Sequence, residues 1–313
     1  MKIGNQRAAF IDYRNPGIFM ITMNKAPGIP NFSKLWIDEQ LTNPKRRVKL
    51  QLSREGHIIK DCFKDFKNNY SDLTVLSNKI MPDHIHFIIK IVRRIEKRLG
   101  EVIAKFKREI YNGFLLNKLI SPSVKTIFEP GFNDQILVRR RNLQVLFDYV
   151  ADNPYRLWIR LEHPEFFSRT QNIRLHDTPC NLYGNHFLLQ HPFIYPVIIH
   201  RSYSEDEIKR LKDIWRYAIY NDGVLVGAFI SKKEKEILNE ALEFGSKIIL
   251  ISNKAFETRE KPSGRLFEHC CNGNLLIVSP DLAGLSRTDR AISREECLYL
   301  NNMAEMIGKG IKI

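Results

Sequence analysis

Residues 81–92 read Met-Pro-Asp-His-Ile-His-Phe-Ile-Ile-Lys-Ile-Val. In an extended chain successive side chains alternate between two faces, so Ile85 and Phe87 turn into a core while His84 and His86 stand side by side on the other surface. Immediately upstream, LTVLSNKIM (73–81) is a second alternating apolar run, and Pro82-Asp83 separates the two. That arrangement predicts a hairpin or a bulged pair of neighbouring strands. Two neutral imidazoles joined by an oxygen-bearing third ligand make a divalent-metal site with positions left open for substrate. The same spacing also fits a pair of solvated surface histidines.

Working outward, GIFMITMNKA (17–26) and QILV (135–138) read as further strands, and Pro44-Lys45-Arg46-Arg47 leads into VKLQLS. Residues 54–70 carry apolar side chains at helical spacing through Ile58, Ile59, Cys62, Phe63 and Phe66. A basic helix follows over 96–117, with Leu99, Val102, Ile103, Phe106, Ile110 and Phe114 on one face. NLQVLFDYVADN (142–153) is a third helix, which Pro154 is expected to close. Tyr149 and Asn153 are four residues apart and so share a face of that helix. The layering predicted is an α+β domain, an antiparallel sheet with helices packed on one face.

The chain has 313 residues, enough for two domains of ordinary size, with 43% apolar and 27% charged residues. Its apolar runs are strand-sized, far short of the ~20 residues that span a bilayer. The first residues contain no apolar leader segment, so a cytoplasmic location without a membrane partner is expected. Five cysteines, Cys62, Cys180, Cys270, Cys271 and Cys297, show no CxxC spacing, which points to reduced thiols rather than disulfides or a thiolate zinc site. Charge is uneven: residues 1–165 hold 29 Lys and Arg against 17 Asp and Glu, whereas 166–313 hold 20 against 18. A basic N-terminal half suits a polyanion such as nucleic acid.

Beyond residue 190 the pattern changes. IYPVIIH (194–200), VLVGAFI (224–230), KIILIS (247–252) and NLLIVSP (274–280) are short, continuously apolar runs of the buried parallel-strand type. Helical stretches alternate with them, three opening with capping-box spacing at Ser204 and Glu207, Ser231 and Glu234, and Ser293 and Glu296. An α/β, Rossmann-like parallel sheet is expected over 191–313, after a first domain over 1–165 and a linker or sheet edge over 166–190.

MPDHIHFII resembles the histidine-hydrophobe-histidine (HUH) motif of single-tyrosine transposases, the insertion-sequence and REP-associated tyrosine transposases. Tyr149-Val150-Ala151-Asp152-Asn153-Pro154 resembles their Tyr-hydrophobe-x-x-Asn-Pro, and FEPGFNDQILVRRRNLQVLFDYV (128–150) the stretch before it. The resemblance covers residues 17 to about 160. It implies a ferredoxin-like or RRM-like domain in which His84 and His86 hold Mg2+ or Mn2+, Asn153 completes or orients the metal shell, and Tyr149 is the nucleophile. The implied reaction is cleavage of single-stranded or hairpin DNA through a 5′-phosphotyrosine, with strand transfer by reversal. Lys105, Arg108, Arg139, Arg140 and Arg141 would hold the DNA backbone. Departures from the pattern are Asp83 for the commoner Asn and Gln135 where many relatives carry a histidine. Tyr111 and Tyr155 are competing nucleophiles. A non-catalytic, regulatory DNA-binding protein derived from a transposase is the alternative. The second half weakly resembles the Rossmann-like domain of DNA-processing protein A, with Ser263 and Gly264 opening a helix. Oligomeric state, monomer or homodimer, is left open by the sequence.

Overall fold

A computed structural model describes residues 12–137, 143–252, 261–281 and 292–310. It is a mixed α/β protein whose chain divides into two compact units, Met1–Trp158 and Ile159–Ile313. The division falls inside the stretch expected to form the first domain.

In the first unit, strands β1 (Gly17–Asn24), β4 (Leu73–Ile80), β5 (His84–Ile91) and β6 (Asn133–Ile136) form one sheet in the order β4-β5-β1-β6. Every pairing in it is antiparallel. β4 and β5 are a hairpin across Met81-Pro82-Asp83, closed by the Met81 amide donating to the His84 carbonyl at 2.9 Å. A bulge interrupts β4 between Val75 and Ser77. Helices α2 (Arg54–Asn69) and α3 (Leu99–Leu116) cover one face of the sheet. There Phe19, Ile21 and Met23 of β1 and Ile85, Phe87 and Ile89 of β5 join a core with Ile59, Phe63 and Phe66 of α2. α3 buries Leu99, Val102, Ile103, Phe106, Ile110 and Phe114, the six residues its helical spacing selects. Each such large side chain contributes about 1.5–3 kcal/mol through removal from water.

The opposite face is partly covered, where helices on one face alone would leave it bare. Met20 and Ile88 there pack with Val150 of α4 (Leu143–Glu162), because the even positions of β1 and β5 are apolar as well in mid-strand. α4 also runs through Pro154 instead of ending before it. Between β1 and α2 the chain adds a separate two-stranded hairpin, β2 (Ser33–Ile37) and β3 (Val48–Leu52), with the short helix α1 (Pro44–Arg47) at its tip.

In the second unit the sheet order is β7-β8-β12-β11-β10-β9. β9 (Ile194–Pro196), β10 (Val224–Gly227), β11 (Lys247–Ile251) and β12 (Leu275–Pro280) are parallel. Residues 166–190 are not a linker: β7 (Arg169–Leu175) and β8 (Thr178–Gly184) form an antiparallel hairpin that pairs with β12, which makes the sheet mixed rather than parallel. β7 lies at the sheet edge and reads RTQNIRL, so its polar side chains mask the strand signal. At Gly184, where φ is +120°, a Cβ would lie 2.2 Å from the Leu275 carbonyl oxygen, so the β8–β12 approach requires glycine.

α5 (Glu205–Tyr220), α6 (Lys232–Phe244) and α7 (Gly264–Cys271) pack on one side of this sheet through Trp215, Ile219, Ile237, Ala241 and Cys270. α8 (Arg294–Gly308) packs on the other through Leu300, Met303 and Ile307. The three expected capping boxes form, at Ser204, Ser231 and Ser293. The buried Glu234 carboxylate does more than cap, accepting from the backbone amides of Ile199 at 2.9 Å and of Ile230 and Ser231 at 2.8 Å. All five cysteines are free. Among the described residues no helix is long and apolar enough to cross a membrane.

Candidate active site

Thr22 of β1 lies directly opposite His86 of β5, and Lys79 of β4 lies opposite it on the other side. Residues paired across strands project to the same face. Lys79, His86 and Thr22 therefore form one row across the sheet, extended by Asn133 of β6. The face is the one α4 covers.

The two imidazoles stand with ring centroids 4.4 Å apart in an edge-to-face arrangement. Each has its Nδ1 engaged by a neighbour. His84 Nδ1 lies 2.7 Å from Asp83 Oδ1, and the hydrogen bond with His84 is the main reason the Asp83 carboxyl sits below its usual range. An ionised carboxylate only accepts, so His84 carries its proton on Nδ1 and, in the neutral ring, a lone pair on Nε2. His86 Nδ1 lies 2.8 Å from the Thr22 hydroxyl, which accepts in the equivalent tautomer. His86 is only 5% exposed. Burial, helped by the neighbouring His84, pushes its pKa down to about 3, so the ring is neutral at pH 7. Neutral imidazoles fixed through Nδ1 are what a metal-ligating pair requires. Among the described residues, no group of three or more His, Cys, Asp or Glu side chains is placed to hold a metal ion.

Tyr149 of α4 brings its ring centroid to 5.7 Å from that of His86. The Arg156 guanidinium lies 5.0 Å from the centre of the Tyr149 ring. Between them stands Pro154, which has no N–H for the Val150 carbonyl and whose ring crowds that turn. Asn153, 4% exposed, adds a separate bond one residue earlier: its Nδ2 donates to the Tyr149 carbonyl at 2.8 Å. Asn153 is thus tied through its amide nitrogen to the turn that carries the phenol, while its Oδ1, the atom through which an amide ligates a cation, takes no part in that bond.

The basic residues separate differently from expectation. Lys105 and Arg108 belong to α3, whose apolar stripe packs on the sheet face opposite the imidazoles, so they do not line this site. Helical periodicity shows which side of α3 is apolar but not which sheet face it covers. Lys105 Nζ is 3.6 Å from Glu109 Oε1 and 5.4 Å from the Tyr70 ring centre. Arg139, Arg140 and Arg141 lie outside the described residues. Of the competing tyrosines, Tyr111 donates its hydroxyl to the Val124 carbonyl at 2.9 Å, and Tyr155 is 8% exposed and packs near Trp158. Ser263 caps α7 without a side-chain hydrogen bond.

Three contributors were missed in the sequence. Thr22 is visible only once β1 and β5 are in register. Arg156 follows Tyr149 by two helical turns, a signal lost when Pro154 is read as a stop. Asp83 was noted only as a departure from a family pattern, although its adjacency to His84 allowed the pairing.

The site and its sheet define a mixed α/β protein with a fixed imidazole pair beside a helix tyrosine. No family model matches the chain, and no curated protein matches it. Solved structures similar to it include a REP-associated tyrosine transposase bound to a REP hairpin, at 15% identity over 48% of this chain and 72% of that one, with a TM-score of 0.31. DNA processing protein A from Helicobacter pylori is similar at 19% identity over 45% of this chain and 65% of that one, TM-score 0.31. The same protein from Streptococcus pneumoniae is similar at 18% identity over 51% and 59% of the two chains, TM-score 0.32. At these identities and scores the likenesses assign no function.

Proposed function

We propose that the first unit is a metal-assisted, single-strand DNA endonuclease and strand transferase with Tyr149 as nucleophile. The observation that carries this reading is the meeting of His84, His86 and Tyr149, which come from two elements far apart in the chain, with both imidazoles held by their own neighbours. The βαββαβ order of β1, α2, β4, β5, α3 and β6, and their spatial order, support the ferredoxin-like reading of this unit. The parallel part of the second sheet supports a Rossmann-like reading there.

In the proposed step the Tyr149 oxygen gives up its proton to solvent and attacks the phosphorus of a phosphodiester. The bond from phosphorus to the 3′ oxygen breaks, that oxygen takes a proton to become a free 3′-OH, and a 5′-phosphotyrosine remains. One ester replaces another, so a 3′-OH returning to the phosphorus rejoins strands without ATP. The Arg156 guanidinium, 5.0 Å from the centre of the Tyr149 ring, would offset the negative charge that gathers on the attacked phosphate. His84 and His86 would hold a divalent cation that, when bound, polarises a non-bridging phosphate oxygen. Imidazole ligands favour Mn2+ over Mg2+ in that place.

Purified protein incubated with labelled single-stranded hairpin oligonucleotides and Mn2+ or Mg2+ tests this on a denaturing gel. A slowly migrating, protease-sensitive DNA adduct is expected, abolished by EDTA and by Tyr149→Phe, with DNA binding by the variant retained. Adduct formation by Tyr149→Phe at the wild-type rate would overturn the assignment. Binding without any adduct across substrates would favour a regulatory DNA-binding protein.

A further inference from the structure

A cleft of about 540 Å³, within the size range of small-molecule sites, is lined in part by Ala151, Asp152 and Pro154 of the helix that carries Tyr149. Its rim carries Lys45 and Arg46 of α1, Lys49 of β3, Lys60 of α2 and Lys79 of β4, against a single carboxylate, Asp152. Lys45 Nζ is 2.9 Å from Asp152 Oδ2. Among the described residues Arg46, Lys49, Lys60 and Lys79 have no ion-pair partner. Lys79 is half-buried, and burial together with the charge of Lys49 holds its ammonium below its usual range. The cleft is therefore short of negative charge.

Its floor is apolar, formed by Val48, Leu50, Ile80 and Pro154. Apolar floor and cationic rim together match a nucleotide, whose sugar and base seek contact while its phosphate seeks charge. A bare anion would have no use for the floor. Position adds to this: Lys79 is the cross-strand partner of His86, and Asp152 follows Tyr149 by three residues, a neighbour on the same helix surface.

We propose that this cleft seats an unpaired nucleotide of a single strand, next to the phosphodiester that Tyr149 attacks, with its phosphate on Lys49 and Lys79. This rests on the strand-cleavage reading of the tyrosine site, but it moves the backbone contact from α3 to the β3–β4 side of the unit.

The test uses the full chain carrying Tyr149→Phe, so that binding is measured without cleavage. Fluorescence anisotropy with a labelled single-stranded oligonucleotide is followed against salt for this protein, for its Lys49→Gln/Lys79→Gln derivative, and for a Lys97→Gln/Lys125→Gln derivative of equal charge. Loss of that one phosphate contact flattens the plot of log affinity against log salt by roughly 0.7 for a single strand. That flattening, with affinity reduced at least about 10-fold at low salt, is expected for the cleft pair alone. Equal behaviour of the two derivatives would overturn the cleft, as would competition by duplex DNA as effective as that by single strand. Failure of the cleavage reading looks different: no adduct from the unmodified chain, while the cleft pair still governs single-strand binding.

Discussion

Thr22 has no chemistry of its own in the proposed phosphodiester cleavage, yet among the described residues its hydroxyl is the partner of the buried His86 Nδ1. Groups that orient a metal-ligating imidazole typically change affinity or activity by about 10–100-fold when removed. Thr22→Val keeps the shape of the side chain and deletes the acceptor. Single-turnover adduct formation is expected to fall by about that factor, with a higher Mn2+ requirement and a circular dichroism spectrum like wild type. A fall of less than twofold would show that Thr22 does not set the His86 ring. At the same scale, Glu234 binds three backbone amides with one carboxylate. Glu234→Ala leaves those donors without partners inside the second unit, and the denaturation midpoint should drop by the equivalent of about 2–4 kcal/mol. An unshifted midpoint would mean water replaces the carboxylate fully.

For the elements, the sharpest case is α4, which keeps a proline in its interior and positions the phenol one turn before it. Proline in a helix interior is less favourable than alanine by about 3 kcal/mol, so Pro154→Ala should not lower the melting temperature. It should slow adduct formation, because an N–H restored at position 154 would draw the Val150 carbonyl into the regular helix and shift the Tyr149 ring relative to His86. Wild-type rates in a stabilised variant would show that Pro154 has no part in placing Tyr149. Elements differed in how well they could be read beforehand. β1, β5 and α3 announced themselves because an apolar period is a property of one segment and needs no partner. β7 did not, since a polar edge strand satisfies half its backbone with water and carries no apolar period. α4 was read as ending at Pro154 because proline usually closes a helix, and the packing of Val150, Tyr155 and Ile159 that carries the helix past it is tertiary.

Taken whole, the molecule separates what a sequence can display from what only folding assembles. The shared face of His84 and His86 is set by spacing within one strand, so it was legible. Their meeting with Tyr149, the Thr22 register and the cationic cleft draw on several elements, and no single segment contains them. The thiols offer a check on the packing of both units. Burial raises Cys62 and Cys180 to about 11 and Cys270 to about 12, so at pH 8 they are protonated and poor nucleophiles. Iodoacetamide at pH 8 should leave Cys180 and Cys270 unmodified over a period that labels both fully in denaturant, as read by peptide mass spectrometry. Rapid native labelling of Cys270 would contradict the core assigned to α7.

The two-sided character of β5 has a bearing on which lineages of this gene can persist. Ile85, Phe87 and Ile89 are fully buried on one side, while His84 and His86 occupy the other. Removing or inserting one codon within residues 84–91 exchanges the two sides, sending imidazoles into the core and Phe87 to the surface. Most single substitutions in this strand damage either stability or the site. A one-residue length change damages both together, so length variation among descendants should collect in the turns and avoid this strand altogether.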